Sequence, residues 1–556
     1  MKTLNVDVII IGGGPFGLML ANELGRRGIS ATLFDKKPST AFNPQANATQ
    51  ARTMEHYRRL GFADEIRKLG LPPDYPTDVA YFTRYTKHEL ARFRLPSSKD
   101  ARSMVTQNSG SWNAAEPPHR VAQKFVEAVL RRHAERLDGI AINYGWEFSH
   151  FEAFDDHVTA YVTNLGDDET VQVQGQYLVG GDGPQSTVRK QLGFGYVGET
   201  GVARDFLGGR MYAIYLRCPD YYAQIPHPPA WMYWSFNSDR RALMAAVDGR
   251  GEFAFHTQLR DGEDEASISE ESAKAMFQTA AGAPLDCEIL ARTSWTAGHT
   301  LVAEKFQQGR LLLGGDAVHL FTPTGGLGYN TAIEDAVNLG WKLAETIRGN
   351  AGPALLDSYE QERRPIAVRN TNFARVFAES VGLFVPKPVI EEESEAGSAA
   401  RAEAGTYLEA HGRKEFNIPG ITFGYRYDGS PVIVSDGAEP PQDKVNEYTA
   451  SAVPGGRPPH YWLSPSHSLY DDFGFEWTLL RLGPRAPQAD RLVRAAKAAG
   501  LDLKVLAVPL REVRNLYEAD LALIRPDQIV AWRGASDRTA QEIVATVLGK
   551  NNCGFR

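Results

Sequence analysis

The sequence predicts an α/β protein, with a parallel sheet near the N-terminus, further strands in the middle of the chain, and short strands and turns after Phe423. The chain has 556 residues, of which 43% are hydrophobic and 23% are charged, the balance of a folded chain with several domains. Residues 6–11 form a β-branched run, typical of a strand buried on both faces, and glycines and a helical segment follow it. Residues 206–258 alternate as strands do, which predicts a second group of strands.

Composition and charge exclude several classes of protein. The formal net charge of -8 lacks the basic character of a nucleic-acid-binding protein. No apolar run approaches the roughly 20 residues of a membrane-spanning helix, so neither nucleic acid nor a membrane is an expected partner. Cys218, Cys287 and Cys553 form no Cys-x-x-Cys pair, which argues against a disulfide framework or a dithiol redox pair. The histidines lack metal-ligand spacing. We expect no metal and a reducing, cytoplasmic location.

The first motif lies directly after the N-terminal strand. Gly12, Gly14 and Gly17 fit the pattern G-x-G-x-x-G between a predicted strand and a predicted helix. Gly12 allows a tight turn, Gly14 lets a pyrophosphate approach the backbone, and Gly17 lets helix and strand pack closely. Asp35 ends the second predicted strand, near the expected position about 20 residues further on for an acid that binds a ribose hydroxyl. The motif predicts a dinucleotide site, for either NAD or FAD.

Two further motifs follow the same logic. Residues 177–189 read as a strand, a turn at Asp182 and Gly183, and the start of a helix. Residues 309–344 read as a strand that ends at Asp316, a Pro/Gly-rich turn and a long helix. An acid at the end of a strand beside a helix N-terminus can bind a ribityl or ribose hydroxyl, while the helix dipole faces an anion.

The three motifs, in this order and spacing, resemble those of the FAD-dependent aromatic hydroxylases, the class A flavoprotein monooxygenases. The chain is most similar to the phenol-hydroxylase branch, which includes chlorophenol monooxygenases, 3-(3-hydroxyphenyl)propionate hydroxylases and enzymes of polyketide phenols. The resemblance implies a Rossmann-like FAD-binding domain of the glutathione-reductase type, an inserted mixed-sheet substrate domain and a C-terminal thioredoxin-like domain. The implied boundaries are 1–75, 101–200 and 293–388 for the FAD-binding domain, 76–100 and 201–292 for the substrate domain, 389–422 for a connector, and 423–556 for the last domain.

The resemblance also implies the cofactor contacts. These fall on Gly12, Gly14, Pro15, Gly17, Asp35, Lys36, Arg52, Gln123, Asp182, Gly183, Asp316, Pro323, Gly326, Leu327, Gly328 and Asn330. In the family, the position of Asp316 binds the ribityl chain, and the Asp182 motif contacts both FAD and NAD(P)H. For Arg52, a surface ion pair with Glu55 is an equally good interpretation.

The candidate catalytic residues are Asn47, Tyr215, Tyr233 and Pro323. By the resemblance, Asn47 occupies the position at which phenol hydroxylases share an aspartate. An amide cannot take a proton from a phenol. A base would therefore lie elsewhere, or the substrate would already be acidic. Aromatic residues in a sheet are more often core than pocket, which holds for both tyrosines. The carbonyl of Pro323 faces the substrate hydroxyl by resemblance only.

The remaining polar candidates near the expected flavin face are Arg210, His299 and His319, of which His319 reads better as a structural hydrogen-bonding residue than as a base. Gln185 replaces the arginine that usually follows the Asp-Gly motif, so the choice between NADH and NADPH stays open. Residues 390–405 read as a solvated connector or an exposed helix. Because the last domain lacks Cys-x-x-Cys, it cannot carry out dithiol exchange, and we expect it to support packing and dimer formation.

The implied activity is hydroxylation of a small aromatic substrate with NAD(P)H and O2 through a flavin C4a-hydroperoxide, by a homodimer that NAD(P)H visits transiently. One alternative keeps the fold but carries out Baeyer–Villiger, epoxidation or oxidase chemistry on a polycyclic or polyketide substrate. The other alternative is a flavin-binding or NADH-sensing protein without catalysis.

Overall fold

The computed structural model describes residues 3–106, 108–200 and 206–550. Cys553 and the first residues of the predicted substrate segment, 201–205, lie outside them. The strands, in chain order, are β1 (Thr3–Ile11), β2 (Ala31–Asp35), β3 (Val79–Phe82), β4 (Glu89–Phe93), β5 (Ile140–Tyr144), β6 (Trp146–Ala153), β7 (Val158–Asn164), β8 (Thr170–Gly180), β9 (Tyr196–Glu199), β10 (Gly209–Arg217), β11 (Met232–Ser235), β12 (Ala242–Ala246), β13 (Glu252–Gln258), β14 (Glu288–Ala297), β15 (Thr300–Ala303), β16 (Gln307–Gln308), β17 (Leu311–Leu313), β18 (His319–Leu320), β19 (Trp462–Ser464), β20 (His467–Ser468), β21 (Trp477–Leu482), β22 (Leu503–Val508), β23 (Leu521–Ile524) and β24 (Val530–Gly534).

The α-helices are α1 (Pro15–Gly25), α2 (Ala51–Arg59), α3 (Ala63–Arg67), α4 (Ser98–Val105), α5 (Gln123–Ala134), α6 (Thr187–Gln191), α7 (Tyr221–Gln224), α8 (Glu270–Ala281), α9 (Leu327–Ile347), α10 (Pro353–Gly382), α11 (Glu395–Phe416), α12 (Pro419–Phe423), α13 (Asp490–Ala498), α14 (Arg511–Tyr517) and α15 (Ala540–Val547). None of these helices is both long and apolar enough to cross a membrane.

The first sheet has the strand order β16-β17-β8-β1-β2-β5, with the β6–β7 hairpin attached to β8. Strand β1 pairs in parallel with β2 and β8, and β17 pairs in parallel with β8. Val8, Ile9 and Ile10 on β1 are fully buried, as expected for a strand covered on both faces. This arrangement brings the ends of β1, β8 and β17 to one edge, where the three motifs meet.

The second sheet has the order β14-β10-β13-β12-β11-β3-β4 and is mixed, because β11 pairs in parallel with β3 and its other pairings are antiparallel. Helix α8 covers one face: the Phe277 ring packs edge-on against Phe255 with a centroid distance of 5.8 Å. The predicted mixed sheet therefore forms, and β3 and β4 come from a segment far upstream of its other strands.

The C-terminal region contains a sheet of order β22-β21-β23-β24, in which β21 and β22 are parallel and the other pairs antiparallel. Buried ion pairs join it to the rest of the chain: Arg525 lies 2.7 Å from Glu362 on α10, and Arg457 lies 2.5 Å from Glu55 on α2. Burial alone would raise the pKa of Glu55, but Arg457 and Arg52 outweigh it and lower the pKa to about 2. The thioredoxin-like assignment and the domain boundaries stay predictions.

The segment 390–405, predicted as a solvated connector or an exposed helix, contains the start of helix α11, so the helical alternative is confirmed but the exposure is wrong for one face. One face of the helix is buried and includes Ala400, Ala404 and Leu408. Gly405 packs so closely on β4 that a Cβ there would lie 2.3 Å from the carbonyl oxygen of Leu90. Small residues at these positions let α11 lie against the mixed sheet, which an acidic, alanine-rich composition does not indicate.

Candidate active site

The first glycine-rich turn divides into residues that pack and one that leaves open space. Gly12 has φ +113°, and a Cβ there would lie 2.1 Å from the carbonyl oxygen of Gly181. A Cβ on Gly17 would lie 2.0 Å from the carbonyl oxygen of Gly12. A Cβ on Gly14 would meet nothing within 4 Å, and Gly14 begins α1 without a side-chain cap, with Pro15 in its first turn. The helix start is therefore open to an anion.

Asp35 closes the same turn from the end of β2. One carboxylate oxygen accepts a hydrogen bond from the backbone N–H of Gly13 at 2.6 Å, and the other accepts one from Lys37 at 2.8 Å. Lys36 is exposed beside it. The carboxylate is fixed by the backbone and keeps acceptor capacity for a ribose hydroxyl.

At the second motif, Asp182 organises the start of α6. Its carboxylate accepts hydrogen bonds from the Ser186 hydroxyl and from the backbone N–H groups of Thr187 at 2.7 Å and Val188 at 3.2 Å. Gly183 has φ +81°, a conformation that favours glycine. Desolvation raises the pKa of Asp182 despite these hydrogen bonds. The motif therefore shapes the turn, and the cofactor contact of Asp182 and Gly183 stays a prediction.

The third motif presents Asp316 at the end of β17, where its side chain is exposed. Although solvent reaches the carboxylate, desolvation by the surrounding protein raises its pKa above the ordinary value. Behind it, the fully buried His319 lies 2.7 Å from Asp335 on α9, and Asp335 also pairs with Arg363 at 2.7 Å. Asp335 further accepts the backbone N–H of Gly315 at 3.2 Å. His319 therefore supports the motif from behind, as its structural interpretation predicts.

The turn before α9 is held in a left-handed conformation at Gly325 (φ +64°) and Gly326 (φ +63°), and Gly326 caps α9 without a side-chain cap. Leu327 is buried and packs in a cluster with Phe377, whereas Pro323 is exposed and Gly328 is half-buried. The open backbone of this turn suits a flat ligand ring, and the Leu327 side chain anchors it.

Asn330 ties this turn to the loop that carries Asn47. Its amide nitrogen donates to the carbonyls of Ala48 at 2.9 Å and Gly326 at 2.6 Å, and its oxygen accepts from the Gln50 N–H at 2.9 Å. The half-buried Asn47 directly precedes this anchored stretch.

Gln123 approaches the same loop from the start of α5. Its backbone N–H donates to the carbonyl of Ala46 at 2.6 Å, and its side-chain amide donates to Glu127 at 2.7 Å. Gln123 is thus placed beside Asn47's loop, and its contact with a cofactor stays a prediction.

Arg52 does not point to this cleft. Its guanidinium donates to Glu55 at 3.0 Å, to the Gln528 side chain at 3.0 Å and to the carbonyls of Asp527 at 2.8 Å and Gln528 at 3.1 Å. The ion pair with Glu55 exists, but it is buried under the C-terminal domain rather than on the surface. The predicted cofactor contact is therefore wrong, because the guanidinium N–H groups are used by the distant segment 527–528. The predicted surface ion pair is wrong only in its location, because the pair is buried.

The two faces of the mixed sheet separate the two candidate tyrosines. Tyr233 lies on the face covered by α8, stacked on Phe82, and its hydroxyl accepts the Ala230 N–H at 2.8 Å. Burial raises its pKa to about 12. The catalytic assignment of Tyr233 is therefore wrong: strand alternation directs it into the core. Tyr215 lies on the opposite face, near the edge, where its hydroxyl bonds to Lys124 at 2.7 Å and to Glu252.

We call the face opposite α8 the inner face. The cross-strand partners on the α8 side are buried, whereas the inner face combines buried side chains, such as Met211 and Trp234, with half-buried ones. Residues on the α8 side include Ile214, Tyr233, Met244 and Phe255, and residues on the inner face include Ala213, Met232, Leu243, His256 and Trp295. Half-buried apolar side chains within a sheet interior are the lining expected of a ligand pocket.

His256 is the titratable group on this lining. The Trp295 indole N–H donates to its Nδ1 at 3.4 Å, which leaves the proton of the neutral ring on Nε2. Desolvation lowers the pKa of His256 to about 4, so the ring is neutral at pH 7. The side chain can then donate one hydrogen bond to a ligand oxygen.

Helix α11 contacts the glycine-rich turn near its end, through Glu415, and the mixed sheet through Gly412. The Oε1 of Glu415 accepts the Gly325 N–H at 2.9 Å, and its Oε2 lies 2.7 Å from His411. The Tyr81 hydroxyl is buried without a hydrogen-bond partner among the described residues, and a Cβ on Gly412 would lie 3.1 Å from it. Sequence reasoning missed Glu415 and His256, because no local motif marks residues that meet only through the tertiary fold.

Two other polar candidates lie away from this lining. Arg210 is exposed and pairs with Glu265 at 3.0 Å, and His299 bonds to Thr200 at 2.9 Å. Within residues 3–106, 108–200 and 206–550, no group of three or more His, Cys, Asp or Glu side chains could hold a metal ion.

Comparison with known proteins agrees with this geometry. The family model for the FAD binding domain matches residues 5–374, and the model for the C-terminal region of aromatic-ring hydroxylases matches residues 451–551. The chain therefore belongs to the FAD-dependent aromatic hydroxylases. This finding confirms the family that the three sequence motifs indicate.

Individual relatives span nearly the whole chain. A putative polyketide hydroxylase of Streptomyces halstedii is 29% identical over 98% of this chain and 96% of its own length. A phenol 2-monooxygenase of Pseudomonas sp. (strain EST1001) is 28% identical over 96% of this chain and 91% of its own. The reduced-flavin structure of the rebeccamycin biosynthetic enzyme RebC is 32% identical, with a TM-score of 0.87, covering 99% of this chain and 100% of RebC.

The residues present fit FAD. Gly14 leaves room at an uncapped helix start, where backbone N–H groups can receive a pyrophosphate. Asp35 and Asp316 provide carboxylates at two strand ends, and the turn at Gly325 and Gly326 presents backbone rather than side chains. These features lie along the edge formed by β1, β2 and β17.

Proposed function

We propose that this protein hydroxylates a phenolic or related aromatic compound, using NAD(P)H and O2. The observation that carries the proposal is that helix α11 contacts both regions: Glu415 accepts the Gly325 N–H at 2.9 Å, and Gly412 packs against the hydroxyl of Tyr81 on β3 of the mixed sheet. This contact supports an aromatic site between the inner face and the turn of the third motif. In the reaction, NAD(P)H is oxidised, one oxygen atom enters an aromatic C–H bond and the other leaves as water.

When bound, FAD accepts a hydride from NAD(P)H and activates O2 for transfer to the ring. The chain's own residues bind, orient and exclude water. Asn330 fixes the turn, the inner face supplies an apolar floor that keeps water from the reacting atoms, and neutral His256 can donate to a substrate oxygen. Asn47 can hydrogen-bond a hydroxyl but does not serve as a base.

The test is oxidation of NADH and of NADPH by the purified yellow protein against a panel of phenols, with H2O2 measured in parallel. We expect at least one phenol to accelerate oxidation with little H2O2. Acceleration with stoichiometric H2O2 would identify a mimic that is not hydroxylated. If no phenol in the panel accelerates NADH or NADPH oxidation, the hydroxylase proposal is wrong for phenols.

A second candidate is a different oxygenation, such as Baeyer–Villiger or epoxidation, or an oxidase reaction, on a polycyclic or polyketide substrate. Asn47 favours this second candidate, because the enzyme has no carboxylate at position 47 that could accept the proton of a phenol. The name of the Streptomyces halstedii relative also supports a polyketide. A panel of anthraquinones and naphthacenes separates the candidates, since their products differ in ring opening or epoxide content.

The coenzyme preference, a homodimer and the cytoplasmic location stay predictions. Gln185 accepts a hydrogen bond from Lys190 at 3.0 Å, so a cationic side chain lies near the position where relatives carry arginine. The initial rates with NADH and NADPH at equal concentration decide the preference.

A further inference from the structure

Arg120 is a cation without an anion. It lies just before α5, and its guanidinium stacks over the ring of Trp231 at 3.9 Å. Among the residues that the structure describes, no carboxylate pairs with it and no acceptor takes a hydrogen bond from its guanidinium. Desolvation by burial lowers its pKa to about 10, so it remains charged at neutral pH.

An unpaired cation in such surroundings is unusual. Proteins pair buried charges because removing a charge from water is costly. Stacking on an indole returns only part of that cost. Arg120 is half-buried rather than sealed, so its free N–H groups are accessible to a ligand. An arginine kept in this state is explained by an anion that arrives with a ligand.

Three parts of the chain meet at this position. Trp231 directly precedes β11 of the mixed sheet, and its ring packs edge-on against Phe416 at the end of α11 with a centroid distance of 5.8 Å. Among the described residues, the Trp231 indole N–H is buried without a hydrogen-bond partner. Arg120 thus stacks on a ring that carries a second unused donor, and this ring contacts Phe416, the residue that follows Glu415.

The segment of Arg120 also lies along the loop of Asn47. His119 forms a bridge with Thr49, and the Gln123 N–H donates to the carbonyl of Ala46. The backbone on both sides of Arg120 is therefore fixed against both sides of Asn47. Arg120 therefore lies on a segment that is held against the loop of Asn47, where the chain has an amide in place of a carboxylate.

We propose that Arg120 binds an anionic oxygen of the aromatic substrate, either a carboxylate substituent or an ionised phenol. This inference rests on the proposed function and narrows its substrate class. A guanidinium stabilises a bound phenolate directly, so a base at position 47 is not needed. The phenol proton leaves to solvent before or during binding, and no other bond changes at this step.

The test measures binding by the FAD-loaded protein, independently of turnover. The probes are 2-naphthoate and its neutral match 2-naphthamide for a carboxylate, and 4-nitrophenol, whose ionised form absorbs visible light, for a phenolate. The variants are Arg120→Gln, which removes the charge, and Arg120→Lys, which retains it. Arg413→Gln is the control, because Arg413 lies on α11 with a largely exposed side chain and its loss changes net charge equally.

We expect the unaltered protein to prefer 2-naphthoate over 2-naphthamide, or to bind 4-nitrophenol in its ionised form. Arg120→Gln should weaken that anion binding about ten- to hundredfold, Arg120→Lys less, and Arg413→Gln not at all. FAD content should be unchanged in all three variants. An unaltered protein without preference for either anion, or Arg120→Gln with preference intact, would overturn the inference.

The two proposals fail in different ways. Turnover of a neutral aromatic compound without anion preference would leave the hydroxylase intact and remove the role of Arg120. Anion binding that depends on Arg120 in a protein without NAD(P)H oxidation would support the anion site and remove the hydroxylase. If Arg120→Gln loses FAD, Arg120 supports the cofactor cleft instead and the inference is wrong.

Discussion

The cofactor cleft and the inner face of the mixed sheet are built in different ways. The cleft consists of backbone: glycine turns, uncapped helix starts and carboxylates at strand ends. The inner face consists of side chains from β10 to β14 and of Glu415 on α11. The cleft tolerates almost no added atom at Gly12 and Gly17, whereas the inner face includes half-buried side chains that can vary. We infer that the cleft maintains the geometry that the cofactor needs, whereas the inner face determines which substrate binds.

The largest effect is expected within the cleft. Gly12→Ala puts a Cβ about 2.1 Å from the carbonyl oxygen of Gly181 at a φ of +113°. We expect a loss of about 3 kcal/mol or more in the free energy of unfolding, measured by urea denaturation. Gly14→Ala is the matched control, since its Cβ meets no protein atom. It should retain stability but lose FAD, and equal destabilisation of both variants would contradict the division between packing and open space.

The next effect concerns Asp316. Asp316→Ala removes an exposed carboxylate at the end of β17 and should weaken FAD binding about hundredfold, the strength of a hydrogen bond to a charged group. The ratio of flavin to protein absorbance after gel filtration measures this. Asp156→Ala removes another exposed carboxylate, beside β7 and away from the cleft, and should remain yellow. Full flavin occupancy in Asp316→Ala would show that the ribityl assignment is wrong.

A smaller effect tests the inner face through pH. The pKa of His256 is about 4 in the folded protein against roughly 6.5 in an unfolded chain, so the unfolded state binds the proton more readily. Stability from this residue is complete above pH 6.5 and falls as the pH drops towards 4. Between pH 7 and roughly 5.5 the unaltered protein should lose about 1.2 kcal/mol more than His256→Gln. Identical pH dependence of unfolding would mean that His256 is well solvated.

The smallest effect contrasts the two faces at neighbouring positions. Tyr233→Phe removes the acceptor of the Ala230 N–H and should cost about 1 kcal/mol of stability with kcat and KM unchanged. Trp234→Phe, on the inner face beside Tyr81, should instead raise KM for the aromatic substrate. A change of kcat in Tyr233→Phe would reverse the assignment of the faces.

The same contrast explains what the sequence could predict. The cleft was predictable because Gly12, Gly14, Gly17 and Asp316 act through local backbone geometry that a short motif encodes. The inner face was not, because strand alternation alone does not say which face α8 covers, and so it could not separate Tyr233 from Tyr215 among the catalytic candidates. Arg120 and Glu415 carry no local signal, since their importance arises from what distant segments leave unpaired or hydrogen-bonded.

The most direct test of the account is the fate of isotopically labelled oxygen. The FAD-loaded protein is supplied with NAD(P)H, 18O2 and the aromatic compound that best accelerates NAD(P)H oxidation, and the product is analysed by mass spectrometry. If the protein is a hydroxylase, the product contains one labelled oxygen atom for each NAD(P)H consumed. A product without label, or NAD(P)H oxidation that yields only labelled H2O2, would contradict it.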